Sequence, residues 1–173
     1  MVIYILGYTW YNELGDKMKD IVIKLQKLNK EISVMESCTG GYIANAITNI
    51  EGASFVFKFG AVTYSNDYKI KMGVSEEVIS LYSVYSMECA NSMSKSIACY
   101  ADSSYGIGVT GKLNREDVNN NTGDNNRVYI SIYDRENDLF INKELVVTKE
   151  SRLECKDEVL KEVIILLNEH MRV

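Results

Sequence analysis

Glu36-Ser37-Cys38-Thr39-Gly40-Gly41 separates two stretches of different period. Before it, Ile32-Ser33-Val34-Met35 is a short apolar run that reads as a buried strand. After it, Tyr42, Ile43, Ala44, Ala46 and Ile47 recur at helical spacing. The hexapeptide is therefore read as a strand-to-helix turn. Its small residues let the backbone bend sharply and approach a ligand. The first amides of a helix lack intrahelical partners and carry positive partial charge. An anion or a developing oxyanion suits that place. Ser37 stands where a nucleophile on a tight elbow would stand. The plainer alternative is that Ser37 or Thr39 only caps the helix.

Outward from the elbow, the pattern is that of an α/β protein. Leu14, Met18, Ile21, Leu25 and Leu28 form one apolar helix face, and Asn29 ends the helix. Residues 2–6 read equally as a strand or as a buried cap of the core. Ala53 to Lys58 reads as a short helix, Phe59 to Tyr64 as a strand, and Asp67 to Met72 as one or two helical turns. Lys69 then lies just past a strand end. Two neighbouring parallel strands would bring Ser37 and Lys69 to one crevice, since ligands gather beyond carboxyl strand ends. The segment between those strands contains a helix, as a parallel crossover requires.

Ser86 to Ala101 is amphipathic, with Ala90, Met93, Ile97 and Ala101 inward. Tyr105 to Val109 is a strand rich in small residues. Lys112 to Asn126 is asparagine-rich and reads as too polar for a core, with Lys112 and Arg115 as its cations. Arg127 to Tyr133 alternates as a strand, and Leu139 to Val147 returns as its antiparallel partner. Ser151 and Glu154 match a capping box for a last helix that presents Val159, Leu160, Val163, Ile164 and Leu167. The expected architecture is one three-layer α/β/α sandwich over residues 1–173, with a mixed, mostly parallel sheet.

Composition narrows the function. The chain has 173 residues, 46% of them apolar, which suits one domain with a proper core. A net charge of −5 argues against a nucleic-acid surface. Cys38, Cys89, Cys99 and Cys155 form no Cys-x-x-Cys pair, and His170 is the one histidine, so no metal site is expected. Without a disulfide framework, a reducing cytoplasm is the default compartment. The apolar residues 2–6 are too few to span a membrane and lack the basic start of a signal peptide. His170 reads as exposed and inert, and Cys38 as a packing residue.

A second stretch adds specificity. Val62-Thr63-Tyr64-Ser65-Asn66, then Lys69, then Gly73-Val74, follows the Glu-Ser-Cys-Thr-Gly-Gly motif. Together the two resemble the C-terminal domain of the CinA competence/damage-inducible family. The resemblance is strong from about Val34 to Val74 and continues weakly to Val109-Thr110-Gly111. It implies a nicotinamide mononucleotide deamidase that needs no cofactor and binds a small nucleotide. By that resemblance Ser37 is the nucleophile, Lys69 the base and Tyr64 an assisting hydroxyl. Thr39, Gly40, Gly41, Asn66, Thr110 and Gly111 would bind substrate, with the amides of Thr39, Gly40 and Gly41 as oxyanion or phosphate donors. The length leaves no room for the family's separate N-terminal domain, so a stand-alone form is expected, as a homo-oligomer with a dimer foremost.

The chemistry is coherent with these residue types. Amide hydrolysis needs a nucleophile, a base, oxyanion donors and an acid for the leaving amine. A lysine serves as base once burial favours its neutral form; the alternative for Lys69 is a solvated surface lysine. The resemblance breaks after Gly111. The family continues with a Gly-Pro-Gly-Gly segment, whereas this chain reads Lys112-Leu113-Asn114-Arg115. The retained Ser37 and Lys69 favour an enzyme; the altered segment favours a nucleotide-binding or regulatory module. Residues 112–126 are expected to move, and Lys112 or Arg115 to meet a substrate phosphate.

Overall fold

A computed structural model describes residues 2–116 and 123–171, with the backbone alone for 2–12. Five strands form one sheet: β1 (Ile32–Glu36), β2 (Phe57–Val62), β3 (Tyr105–Gly111), β4 (Arg127–Asp134) and β5 (Leu139–Val146). Their spatial order is β2-β1-β3-β4-β5. β1 pairs in parallel with both β2 and β3, and the β3–β4 and β4–β5 pairs are antiparallel. Four strands thus point one way and β4 the other, giving a mixed sheet with helices on both faces.

The buried clusters define those faces. α1 (Val2–Leu28), α2 (Tyr42–Thr48) and α6 (Arg152–His170) cover one side, where Leu14, Met18, Ile21 and Leu25 meet Val34, Ile107 and Val163. α5 (Met87–Ala101) covers the other, where Met93 and Ile97 meet Met35. β1 is buried along its whole length and alternates its side chains between the two cores, as a central strand must. α3 (Asn66–Lys71) and α4 (Glu76–Tyr82) connect β2 to α5.

Several expectations are corrected. Residues 2–6 are not a strand; they extend α1. Adding a turn to an existing helix is far easier than nucleating an element, and the apolar, β-branched composition does not override that. The helix expected at 53–58 is a single 3-10 turn at Ala53–Phe55, because β2 starts at Phe57 to pair with Ile32. The segment after Gly111 is not wholly outside the core: Leu113 is buried in the larger cluster, and Lys112 is buried as well. Of the segment 112–126 that is expected to move, residues 117–122 lie outside the described residues. His170 is not exposed. It pairs with buried Asp134 at 2.7 Å and sits edge-on to Tyr105.

Small residues in β3 let α5 lie on the sheet backbone. A Cβ on Gly106 would stand 2.1 Å from the Ser94 carbonyl oxygen, and one on Gly108 would stand 2.3 Å from that of Ala90. Real side chains do not reach such distances, so Gly108→Ala must push the helix away. We expect it to lower stability by about 1–3 kcal/mol or more, read as a fall in urea midpoint.

Asp134 organises the other end of the sheet. Burial pushes its carboxyl up, but hydrogen bonds from His170 and Asn137 outweigh this and hold it below the usual value. A depressed folded-state value stabilises the fold above the unfolded carboxyl value of about 3.9 and loses that contribution as pH falls through the folded value. Stability measured by urea titration should therefore fall below about pH 3.9, and Asp134→Asn should flatten that acid limb.

Candidate active site

The three parallel strands end in step. Glu36, the last residue of β1, is paired with Val62 of β2 and Val109 of β3. Just beyond, the Ser37 amide donates to the Val109 carbonyl at 3.0 Å and the Thr63 amide to the Glu36 carbonyl at 2.8 Å. The chain then turns through Gly40 (φ 62°) and Gly41 (φ 92°), a left-handed pair that glycine adopts without strain. The elbow is thereby fixed on both flanks by strand bonding.

Lys69 comes from α3, whose start is capped by the Ser65 hydroxyl accepting from the Tyr68 amide. The short helix turns the lysine back under the strand ends. Its side chain is 2% exposed. Lys69 Nζ donates to Ser37 Oγ at 3.0 Å and to the Thr63 carbonyl at 2.7 Å. A buried lysine in hydrogen-bond contact with an elbow serine is a nucleophile–base geometry. It also shows that Lys69 is not a solvated surface lysine.

Ser37 opens into a cleft of about 490 Å³. Tyr64, Asn66 and Gly111 line the same cleft, so the structure brings five of the nine singled-out residues together: Ser37, Lys69, Tyr64, Asn66 and Gly111. Thr39, Gly40, Gly41 and Thr110 are not on its wall. Thr110 turns away to donate its hydroxyl to the Val84 carbonyl at 2.7 Å. Thr39 is fully buried, and its hydroxyl has no partner among the described residues.

Two of the amides read as free donors are occupied. The Gly40 amide donates to the Ser37 carbonyl at 3.1 Å, and the Gly41 amide to Glu36 Oε2 at 3.1 Å. Among the described residues, the amides of Cys38 and Thr39 donate to no other residue. The amide of the residue after an elbow nucleophile is a usual oxyanion donor, and in this chain that residue is Cys38, which precedes the Thr39, Gly40 and Gly41 amides singled out in the sequence. Its thiol is a different matter. Burial pushes it up to about 12, despite the opposing cations of Arg152 and Lys69. At neutral pH it is a thiol in the wall.

Two residues that sequence reasoning passed over shape the site. Glu36 is fully buried, and its carboxylate accepts from the amides of Gly41 (3.1 Å), Ile43 (3.2 Å) and Ala44 (2.8 Å). It, and neither Ser37 nor Thr39, caps α2. The signal was a charged residue closing an apolar strand. Arg152, in the first turn of α6, lines the cleft and donates to the Tyr64 hydroxyl at 3.4 Å. Its signal was a cation at a helix start, where acidic residues are favoured.

Comparison with known proteins agrees with this architecture. The profile of the CinA C-terminal domain matches residues 15–171. A competence-damage inducible protein of Clostridium perfringens is 43% identical over 108 residues, covering 61% of this chain and 26% of that protein. One from Caldanaerobacter subterraneus is 41% identical over 109 residues, with 62% and 26% covered. The chain thus spans about a quarter of the length of these curated relatives. The solved competence/damage inducible protein of Agrobacterium tumefaciens superposes with a TM-score of 0.79 at 27% identity, covering 90% of this chain and 95% of that one. A CinA superfamily protein of Klebsiella pneumoniae gives 0.82 at 19% identity, with 91% and 97% covered, a likeness of fold. The class is a mixed α/β sandwich with a cleft at its parallel strand ends. The chain belongs to the CinA C-terminal domain family.

Removing the Glu36 carboxylate should leave buried amides without an acceptor. Glu36→Ala is expected to cost about 1–3 kcal/mol or more in urea denaturation. Glu36→Gln should cost less, because its amide oxygen still accepts.

Proposed function

We propose that the chain is an amidohydrolase that converts nicotinamide mononucleotide to nicotinate mononucleotide and ammonia. The observation that carries this reading is the 3.0 Å contact between buried Lys69 Nζ and Ser37 Oγ at the edge of the cleft. Family membership supports it, and the cleft volume lies in the range of small-molecule sites.

In the proposed mechanism, Lys69 reacts as the neutral amine. Burial disfavours the charged form of a lysine, and a neutral Nζ takes the Ser37 proton as Oγ attacks the carboxamide carbon. The negative oxygen that forms is held by the Cys38 amide. When the C–N bond breaks, Lys69 returns the proton to the departing ammonia. The resulting serine ester is then cleaved by water, with Lys69 taking the water's proton and returning it to Ser37 Oγ. Tyr64 and Asn66 orient the substrate at the mouth. Nothing in the sequence requires a metal or a cofactor. The protein would act in the cytoplasm on a small nucleotide.

A second reading is a nucleotide-binding or regulatory module that keeps the pocket without efficient turnover. The replacement of the family's glycine-rich segment by Lys112-Leu113-Asn114-Arg115 favours it.

Ammonia release from nicotinamide mononucleotide by the purified protein decides between the two. We expect Ser37→Ala and Lys69→Ala each to lower the rate by about 10³-fold or more while the circular dichroism spectrum is unchanged. Full activity in Ser37→Ala would remove the nucleophile assignment. kcat/KM should rise with pH to a plateau as the neutral fraction of Lys69 grows. A profile flat from neutral to mildly alkaline pH would rule out lysine as the base.

A further inference from the structure

Lys112 is the residue that the fold treats most unusually outside the Ser37–Lys69 pair. It follows Gly111, whose φ of 145° and close approach to β4 leave no room for a side chain: a Cβ there would meet the Arg127 carbonyl oxygen at 2.4 Å. That approach holds the strand end rigidly and delivers Lys112 to the cleft wall. The segment after it is anchored. The Lys112 amide donates to the Arg127 carbonyl at 2.9 Å, and the Arg115 amide to the Asn125 carbonyl at 3.1 Å.

The Lys112 side chain is 5% exposed. Its ammonium has only neutral partners among the described residues. Nζ donates to Asn125 Oδ1 at 3.3 Å and stands 5.0 Å from the centre of the Tyr85 ring. A ring face and an amide oxygen orient a cation but do not neutralise it. Leaving a buried charge without a counter-ion is costly, and such groups are ordinarily paired. This one borders a cleft, beside Tyr85, which also lines it.

The charges around it are unequal in effect. Arg115 and Arg152 line the cleft, as do Asp67 and Glu116. These four are exposed to solvent, so water and salt screen them. The buried Lys112 cation is screened less than these four.

We propose that Lys112 is the fixed floor of an anion subsite that takes the phosphoryl group of a mononucleotide, with Arg115 and Arg152 as its solvated rim. This inference rests on the nucleotide reading of the cleft but not on turnover. It assigns to Lys112 the choice of a phosphorylated substrate over the corresponding nucleoside. A point charge supplies here what a run of backbone amides would supply elsewhere. Because the cation has only neutral partners among the described residues, its loss should also relieve the protein.

The test is calorimetric titration of the parent and of Lys112→Met with nicotinamide mononucleotide, nicotinamide riboside and inorganic phosphate, alongside thermal melting. The parent should bind the mononucleotide at least tenfold more tightly than the riboside, and phosphate should compete. Lys112→Met should lose about tenfold or more in mononucleotide affinity, lose the phosphate competition, keep its riboside affinity and melt no lower than the parent. Riboside binding shows that the variant is folded. Equal mononucleotide affinity in the two proteins overturns the proposal, as does a parent that binds mononucleotide and riboside alike or binds neither. A fall in melting temperature with riboside affinity also lost makes Lys112 a structural residue and overturns it too. Ammonia release is measured separately. Affinity changes as expected without ammonia keep the subsite and remove the deamidase reading; ammonia release with unchanged affinities does the reverse.

Discussion

A single buried carboxylate holds the elbow in place. Glu36 ends the central strand, and its two oxygens gather three amides from the start of α2. The helix start therefore cannot drift from the strand end, and the four residues between them have little freedom. Ser37 is the first of those residues. A charge-assisted bond to each amide is stronger than a neutral one, and burial removes competing water. The position of Ser37 is thus set by a group that does not line the cleft. The same carboxylate occupies the amides of Gly41, Ile43 and Ala44, which are therefore not open to a ligand.

The second half of the pair is placed by different means. Lys69 reaches Ser37 because β1 and β2 are parallel neighbours and a six-residue helix, α3, starts soon after β2 at Asn66. The Thr63 carbonyl then fixes the ammonium from behind. One side chain is thus oriented by strand register and the other by a capped turn, and the two meet at the one sheet end where three strands stop together. At the opposite end of the sheet, buried Asp134 pairs with His170.

Much of this was legible in the sequence, for identifiable reasons. The strand, elbow and helix around Ser37 were readable because the hydrophobic period changes across a small-residue turn. The meeting of Ser37 and Lys69 followed from a helix between two strands. Other features were hidden because they depend on tertiary pairing. The start of β2 at Phe57 is decided by Ile32 across the sheet, not by local composition. The helical state of residues 2–6 is decided by continuity with α1. The burial of Lys112 and Leu113 was invisible in a polar segment, because the close approach of Gly111 to β4 redirects the chain. His170 looked idle because its partner lies 36 residues away. Glu36 was quoted as part of the motif, yet its role depends on three amides that no periodicity marks.

The cleft contains sulfur without reactive sulfur. Cys38 sits beside Ser37, but with its thiol held near 12 the thiolate that attacks peroxides, disulfides and alkylating agents is almost absent at neutral pH. Cys99, the one exposed cysteine, lies on α5, away from the elbow. A serine hydroxyl and a lysine amine have no comparable redox chemistry. A cleft assembled this way can keep the same chemical state across swings in oxidant level that would alter an ionised thiol, even with a cysteine next to Ser37.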